Sequence, residues 1–265
     1  MTKSRRDFII KTGLAGMAGL SFSVPGIANS KTNTMDNIQN KRPEILFFDV
    51  NETLLDLTLL KESVGNTLNG KSELVSLWFT TMLQYSLVET VGNQYKDFGE
   101  IGAATLMMVA ANNHIKLSRE KAKKAISPIT SLPPHPEVRD ALAKLKDDGY
   151  RLVSLTNSSN AAVEKQFTNA GLLGFFEEWL SIQDIGKYKP HADVYNWAAR
   201  KLGVKPEEAM LIAAHGWDVA GALWAGWRAA FVSRPGQQQY PLAPSPEIVA
   251  PELKAISDKL IAIGK

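Results

Sequence analysis

Asp49 closes the apolar run Ile45-Leu46-Phe47-Phe48 and is followed by the polar turn Asn51-Glu52-Thr53. A short apolar run bounded this way reads as a strand buried on both faces of a parallel sheet. It carries a carboxylate to the carboxyl end of that strand, where open α/β sheets bind ligands. Lys189, His215 and Asp218 also stand at places where a strand ends or a helix begins. The chain contains no Cys, which excludes thiol nucleophiles, thiolate metal ligands and disulfides. Catalysis must therefore draw on carboxylates, His, Lys and hydroxyls. His114, His135 and His191 carry no metal-ligand spacing and are expected to be structural or exposed.

These residues need a frame. Four further segments read as strands: Arg151–Thr156, Trp179–Ile182, Ala209–Ala214 and Arg228–Val232. They alternate with amphipathic helical patterns at Pro136–Leu145, Asn160–Ala170 and Ala192–Leu202, closed by Gly149, Gly171 and Gly203, the usual start and stop chemistry. Such alternation predicts an α/β fold, a doubly wound parallel sheet with a Rossmann-like core. Residues 59–132 break the alternation with long helical stretches and predict an inserted helical cap domain. The core is then 44–58 together with 133–265.

The amino terminus is separate in character. Ser4-Arg5-Arg6-Asp7-Phe8 resembles a twin-arginine export signal, followed by a Gly/Ala/Leu stretch and the small-residue site Gly26-Ile27-Ala28. The apolar run from Thr12 to Val24 is shorter than the ~20 residues that span a bilayer. Residues 1–28 are therefore expected to be cleaved at Ala28, with periplasmic localisation and no stable membrane span afterwards. Residues 29–43 read as a flexible linker. Lys3, Arg5, Arg6 and Lys11 against Asp7 account for the whole formal charge of +3. The remainder is neutral and offers no basic patch for nucleic acid.

Four motifs in order resemble those of the haloacid dehalogenase superfamily: Asp49 with Thr53, Thr156-Asn157-Ser158, Tyr188-Lys189-Pro190, and Trp217-Asp218. The likeness is nearest to type II 2-haloacid dehalogenases and runs from Ile45 to the last helix. It implies that Asp49 is a nucleophile that becomes covalently attached to substrate. Lys189 would lower its pKa, Asp218 would orient Lys189, and Thr53 would hydrogen-bond the nucleophile. Backbone N–H groups after Val50 and at the Thr156-Asn157 turn would grip a substrate carboxylate, with Asn51 beside them. Leu83, Phe98 and Trp217 are expected in the pocket wall, Tyr195 near the site, and Trp78 and Tyr95 in packing.

Departures from the family pattern sharpen the reading. Phosphatases of this fold resemble Asp-x-Asp in the first motif and use further acidic residues in the fourth to hold magnesium. Here those positions are Asn51 and Ala222, which removes the acid for an alcohol leaving group and much of a metal site. A halide needs no proton. The family's halide-cradling Arg, which follows Trp in the first cap helix, is Phe79, leaving Asn157, Phe98 and Trp217 as a weaker halide site. The family's Asn in the fourth motif is His215, and its Gly before Thr53 is Glu52. These two either form a general-base dyad for the water that cleaves an aspartyl ester, or His215 fills the slot of an Asn while Glu52 faces solvent.

The expected function is hydrolytic dehalogenation of short L-2-haloacids to 2-hydroxy acids, with a small 2-haloacid and water as the only partners, and with no cofactor and no metal. Assembly as a homodimer is left open. A weak phosphatase-like hydrolase and an exported carboxylate-binding protein without turnover are the alternatives.

Overall fold

The computed structural model describes residues 41–263. The export segment, its cleavage site and most of the linker lie outside the described residues. Six strands form one sheet: β1 (Ile45–Phe48), β2 (Arg151–Thr156), β3 (Glu178–Ser181), β4 (Ala209–Ala213), β5 (Arg228–Val232) and β6 (Ile248–Ala250). Their order is β3-β2-β1-β4-β5-β6 with every neighbouring pair parallel. β1 is central, and all four of its side chains are fully buried, which is why its sequence is an unbroken apolar run. The chain leaves β1 towards β2 on one side and comes back to β4 on the other. The crevice at this reversal lies at the carboxyl end of β1, and Asp49 N–H extends the sheet by donating to Ile212 O at 3.1 Å.

Helices α1 (Thr58–Thr67), α2 (Glu73–Val91), α3 (Phe98–Asn112) and α4 (Arg119–Ile126) follow β1. They pack mainly on one another, α2 on α3, α3 on α4 and α4 on α1. The Trp78 indole N–H ties α2 to α3 through Gly102 O at 2.9 Å. The remaining helices, α5 (Val138–Asp147), α6 (Asn160–Ala170), α7 (Ala192–Leu202), α8 (Gly216–Trp224) and α9 (Leu253–Ala262), flank the sheet. Among the described residues no helix is long and apolar enough to cross a membrane.

β6 has no signal in the sequence. Ile248-Val249-Ala250 is too short to show a period and lies among Pro244, Pro246 and Pro251, so only its pairing with β5 makes it a strand. The third strand also begins one residue earlier than expected, at Glu178. Ile182 instead opens a 3-10 turn in which Ser181 Oγ accepts from Gln183 N–H at 3.1 Å.

Close approach of α8 to the segment carrying Lys189 depends on Gly221. A Cβ there would lie 2.5 Å from Pro190 Cβ and 2.6 Å from the Tyr195 hydroxyl, inside van der Waals contact. Gly221→Ala is therefore expected to destabilise the protein by about 1–3 kcal/mol through overpacking and to lower its thermal midpoint. An unchanged midpoint would contradict this packing.

Candidate active site

Lys189 is the hub of the strand-end cluster. Its side chain is fully buried, and its three N–H donors go to Asp49 Oδ1 at 2.9 Å, Asp218 Oδ2 at 2.6 Å and Leu155 O at 2.8 Å. One ammonium thus joins the ends of β1 and β2 to the first turn of α8. The amide carbonyl of Asn157 holds the Lys189 backbone N–H at 3.0 Å, and Thr90 of α2 holds that of Tyr188 at 3.0 Å. Asp218 is further fixed by the Tyr195 hydroxyl, which donates to its Oδ1 at 2.6 Å.

The second oxygen of Asp49 faces other donors. Thr53 Oγ1 donates to Oδ2 at 2.7 Å while accepting Ala214 N–H at 2.9 Å, so its single proton is directed at the carboxylate. His215 Nδ1 lies 3.3 Å from the same oxygen, and its Nε2 lies 3.1 Å from Glu52 Oε2. Glu52 is buried rather than facing solvent, and Lys61 of α1 and Gln237 each reach it at 2.7 Å. The rings of Phe79 and Trp217 both stack on His215, with centroids at 6.0 and 5.1 Å.

Charge states follow from these contacts. Burial alone would raise Asp49, but the Lys189 ammonium and His215 outweigh it and hold the carboxyl well below the usual range. Burial alone would lower His215, but Asp49 and Glu52 push it up to about 9. At neutral pH the ring is an imidazolium between two carboxylates. This amends the expectation of a base poised near neutrality, because the desolvated carboxylates stabilise the proton on the ring.

Glu52 adopts φ +64°, a left-handed conformation that costs a long side chain roughly 1–2 kcal/mol. The turn is pinned from outside the motifs. The His135 ring contacts Glu52 O at 3.0 Å, and buried Arg234 donates to Thr53 O at 2.9 Å while pairing with Glu137 at 2.7 Å. Arg234 was not expected, and His135 was assigned no partner. Gly in place of Glu52 in the family pattern was the signal that position 52 needs such a backbone and extra support.

Two cavities border the cluster. The larger, of about 920 Å³, is lined by Glu52, Lys61, Phe79, Leu83, His215 and Trp217 among others. The smaller, of about 290 Å³, is lined by Asn51, Trp78, Phe79, Phe98, Gly102 and Ser158 among others. Of the residues expected in the pocket wall, Leu83 and Trp217 line the larger space and Phe98 the smaller. Trp78, assigned to packing, is buried and also borders both spaces.

Val50 and Thr156, expected to act through their neighbouring backbone N–H groups, and Tyr195, expected near the site, have fully buried side chains that line neither cavity. Tyr195 lies behind Asp218, and Thr156 Oγ1 accepts Ser158 N–H at 3.1 Å. Asn157 lines neither cavity and orients Lys189. The Asn51 amide is engaged by Ser158 at 3.2 Å and by buried Gln166 at 2.9 Å, partners the motifs did not reveal. Among the described residues no group of three or more His, Asp or Glu is arranged to hold a metal ion.

A family model for haloacid dehalogenase-like hydrolases matches residues 43–226. The chain belongs to that family. Among curated members of the family, haloacetate dehalogenase H-2 of a Moraxella species is 29% identical over 82% of this chain and 97% of its own length. The (S)-2-haloacid dehalogenase 4A of Burkholderia cepacia is 28% identical over 74% of this chain and 86% of its own. The fold is that of the L-2-haloacid dehalogenase structure from Xanthobacter autotrophicus, with a TM-score of 0.77 at 22% identity, covering 84% of this chain and all of that one.

His215 contributes stability that is full below its ordinary value near 6.5 and is lost as pH rises through about 9. In Asp49→Asn the ring keeps only Glu52 as a carboxylate partner. Its titration midpoint, followed by NMR of the ring protons, is expected to fall from about 9 towards 6.5. A midpoint that stays put would show that Asp49 does not hold the charge on His215.

Proposed function

We propose that the protein hydrolyses the carbon–halogen bond of short L-2-haloacids, with Asp49 displacing halide and water then cleaving the resulting aspartyl ester to release the 2-hydroxy acid. One observation carries this reading. Asp49 is held ionised among cationic and hydroxyl donors, while residue 51, where an acid for an alcohol leaving group would stand, is an Asn tied to Ser158 and Gln166. Such a site supports attack on carbon with a leaving group that departs as an anion.

The chain's own residues divide the work. Lys189 neutralises the nucleophile without leaving its network, and Asp218 and Tyr195 keep that ammonium aimed. Burial strips water from Asp49, which strengthens its interactions with these groups. At position 79 no cation meets the departing halide. The polarisable ring of Phe79 borders both cavities instead, with Trp217 on the larger and Phe98 on the smaller. The names of the curated relatives support this substrate class.

The wild-type protein is expected to release halide from 2-chloro- and 2-bromopropanoate at a rate unchanged by EDTA. Asp49→Asn, nearly isosteric, should release none while keeping its circular dichroism. Loss of turnover with EDTA and its recovery with magnesium would replace this reading by a phosphatase-like one.

A further inference from the structure

The two oxygens of Asp49 are served unequally. Oδ1 has one donor, Lys189 Nζ, which also holds Asp218 and Leu155 O. Oδ2 has two, Thr53 Oγ1 and His215 Nδ1. An oxygen that becomes alkylated is a poor acceptor. Alkylation at Oδ2 would strand two buried donors, and a buried donor without a partner is costly. Alkylation at Oδ1 takes one partner from an ammonium that keeps two. The ester forms with less loss through Oδ1, and Oδ2 then becomes its carbonyl oxygen with both donors already in place.

Resting on the dehalogenase reading above, we propose that Thr53 Oγ1–H and His215 Nδ1–H form an oxyanion hole on Asp49 Oδ2 for hydrolysis of the ester, with Phe79 as the residue that positions the His215 ring. Water oxygen bonds to Asp49 Cγ as the carbonyl π pair moves onto Oδ2. On collapse that pair restores the carbonyl and the Cγ–Oδ1 bond breaks, its electrons leaving on the product oxygen beside Lys189. One proton of the water ends on the product hydroxyl. The other is released as Asp49 returns to a carboxylate. Donors fixed at the oxygen where charge develops need no reorganisation during the step.

The surroundings of His215 keep its ring cationic through this step. Glu52 remains on Nε2 after Asp49 is neutralised, with Lys61 and Gln237 behind it. Phe79 from α2 and Trp217 from α8 present uncharged π faces to the ring, which favour a cation. The other cations of the site, Lys189 and Lys61, are each paired with a carboxylate that His215 also contacts, Asp49 at 2.9 Å and Glu52 at 2.7 Å. In the resting enzyme the ring already carries its proton at neutral pH.

The test is single turnover with 2-bromopropanoate, following halide release and the mass of the Asp49 peptide separately. His215→Ala should release about one halide per site, which also shows that the variant is folded, and its ester should decay about 10²–10³-fold more slowly than wild type. His215→Gln, a neutral donor, should recover part of the rate and lose the pH dependence. Wild-type ester decay should hold at low pH and fall as pH rises through the His215 midpoint. Phe79→Leu should move that midpoint down. Decay that instead rises with pH, with His215→Gln as slow as His215→Ala, would make His215 a neutral base and overturn the proposal, as would normal decay in His215→Ala. A wild-type protein that releases no halide from any 2-haloacid would remove the dehalogenase reading together with it.

Discussion

The buried contact of the Lys189 ammonium with Asp49, Asp218 and Leu155 O is the constraint on which the rest of the structure depends. Removing an ammonium from water costs several kcal/mol unless its partners are well placed, and all three of its donors are filled. The partners come from the ends of β1 and β2 and from α8. β1 must be central, β2 must be its neighbour, and α8 must start directly after β4. The close approach at Gly221 and the Tyr195 hydroxyl on Asp218 follow from the same requirement.

Around this hub the site carries a second cation that the family pattern lacks. Positions 79 and 215 depart from that pattern together, and the structure brings them into contact, the Phe79 ring stacked on His215. An Arg at 79 would set a guanidinium against an imidazolium. The cation of the family pattern at the lid has been replaced by one beside the nucleophile, and Glu52, in a strained backbone conformation, supplies its carboxylate. In this account the change affects how the ester is cleaved and leaves an aromatic ring, in place of a guanidinium, at position 79.

Much of the core was legible because its signals are local. The apolar run before Asp49, the helix stops at Gly171 and Gly203, and the motif order gave five of the six strands and the fold class. β6 was not legible, since three residues among prolines carry no period. Within the site, Asp49, Thr53, Lys189, Asp218, His215 and Glu52 were all read from the sequence and lie together. Their partners were not, because Arg234, Gln166, Lys61 and Gln237 are joined to the site only by tertiary packing. The charge on His215 was not legible for the same reason, since it depends on two carboxylates facing one buried ring, and spacing alone does not show that.

The central claim is that Asp49 forms a covalent ester whose carbonyl carbon is then attacked by water. Single turnover in heavy-oxygen water tests it directly. The account predicts that the label enters the Asp49 carboxylate and is absent from the first 2-hydroxy acid released, whose hydroxyl oxygen comes from Asp49 itself. Label found in that first product, with Asp49 unlabelled, would mean that water displaces the halide without an ester, and would contradict the account.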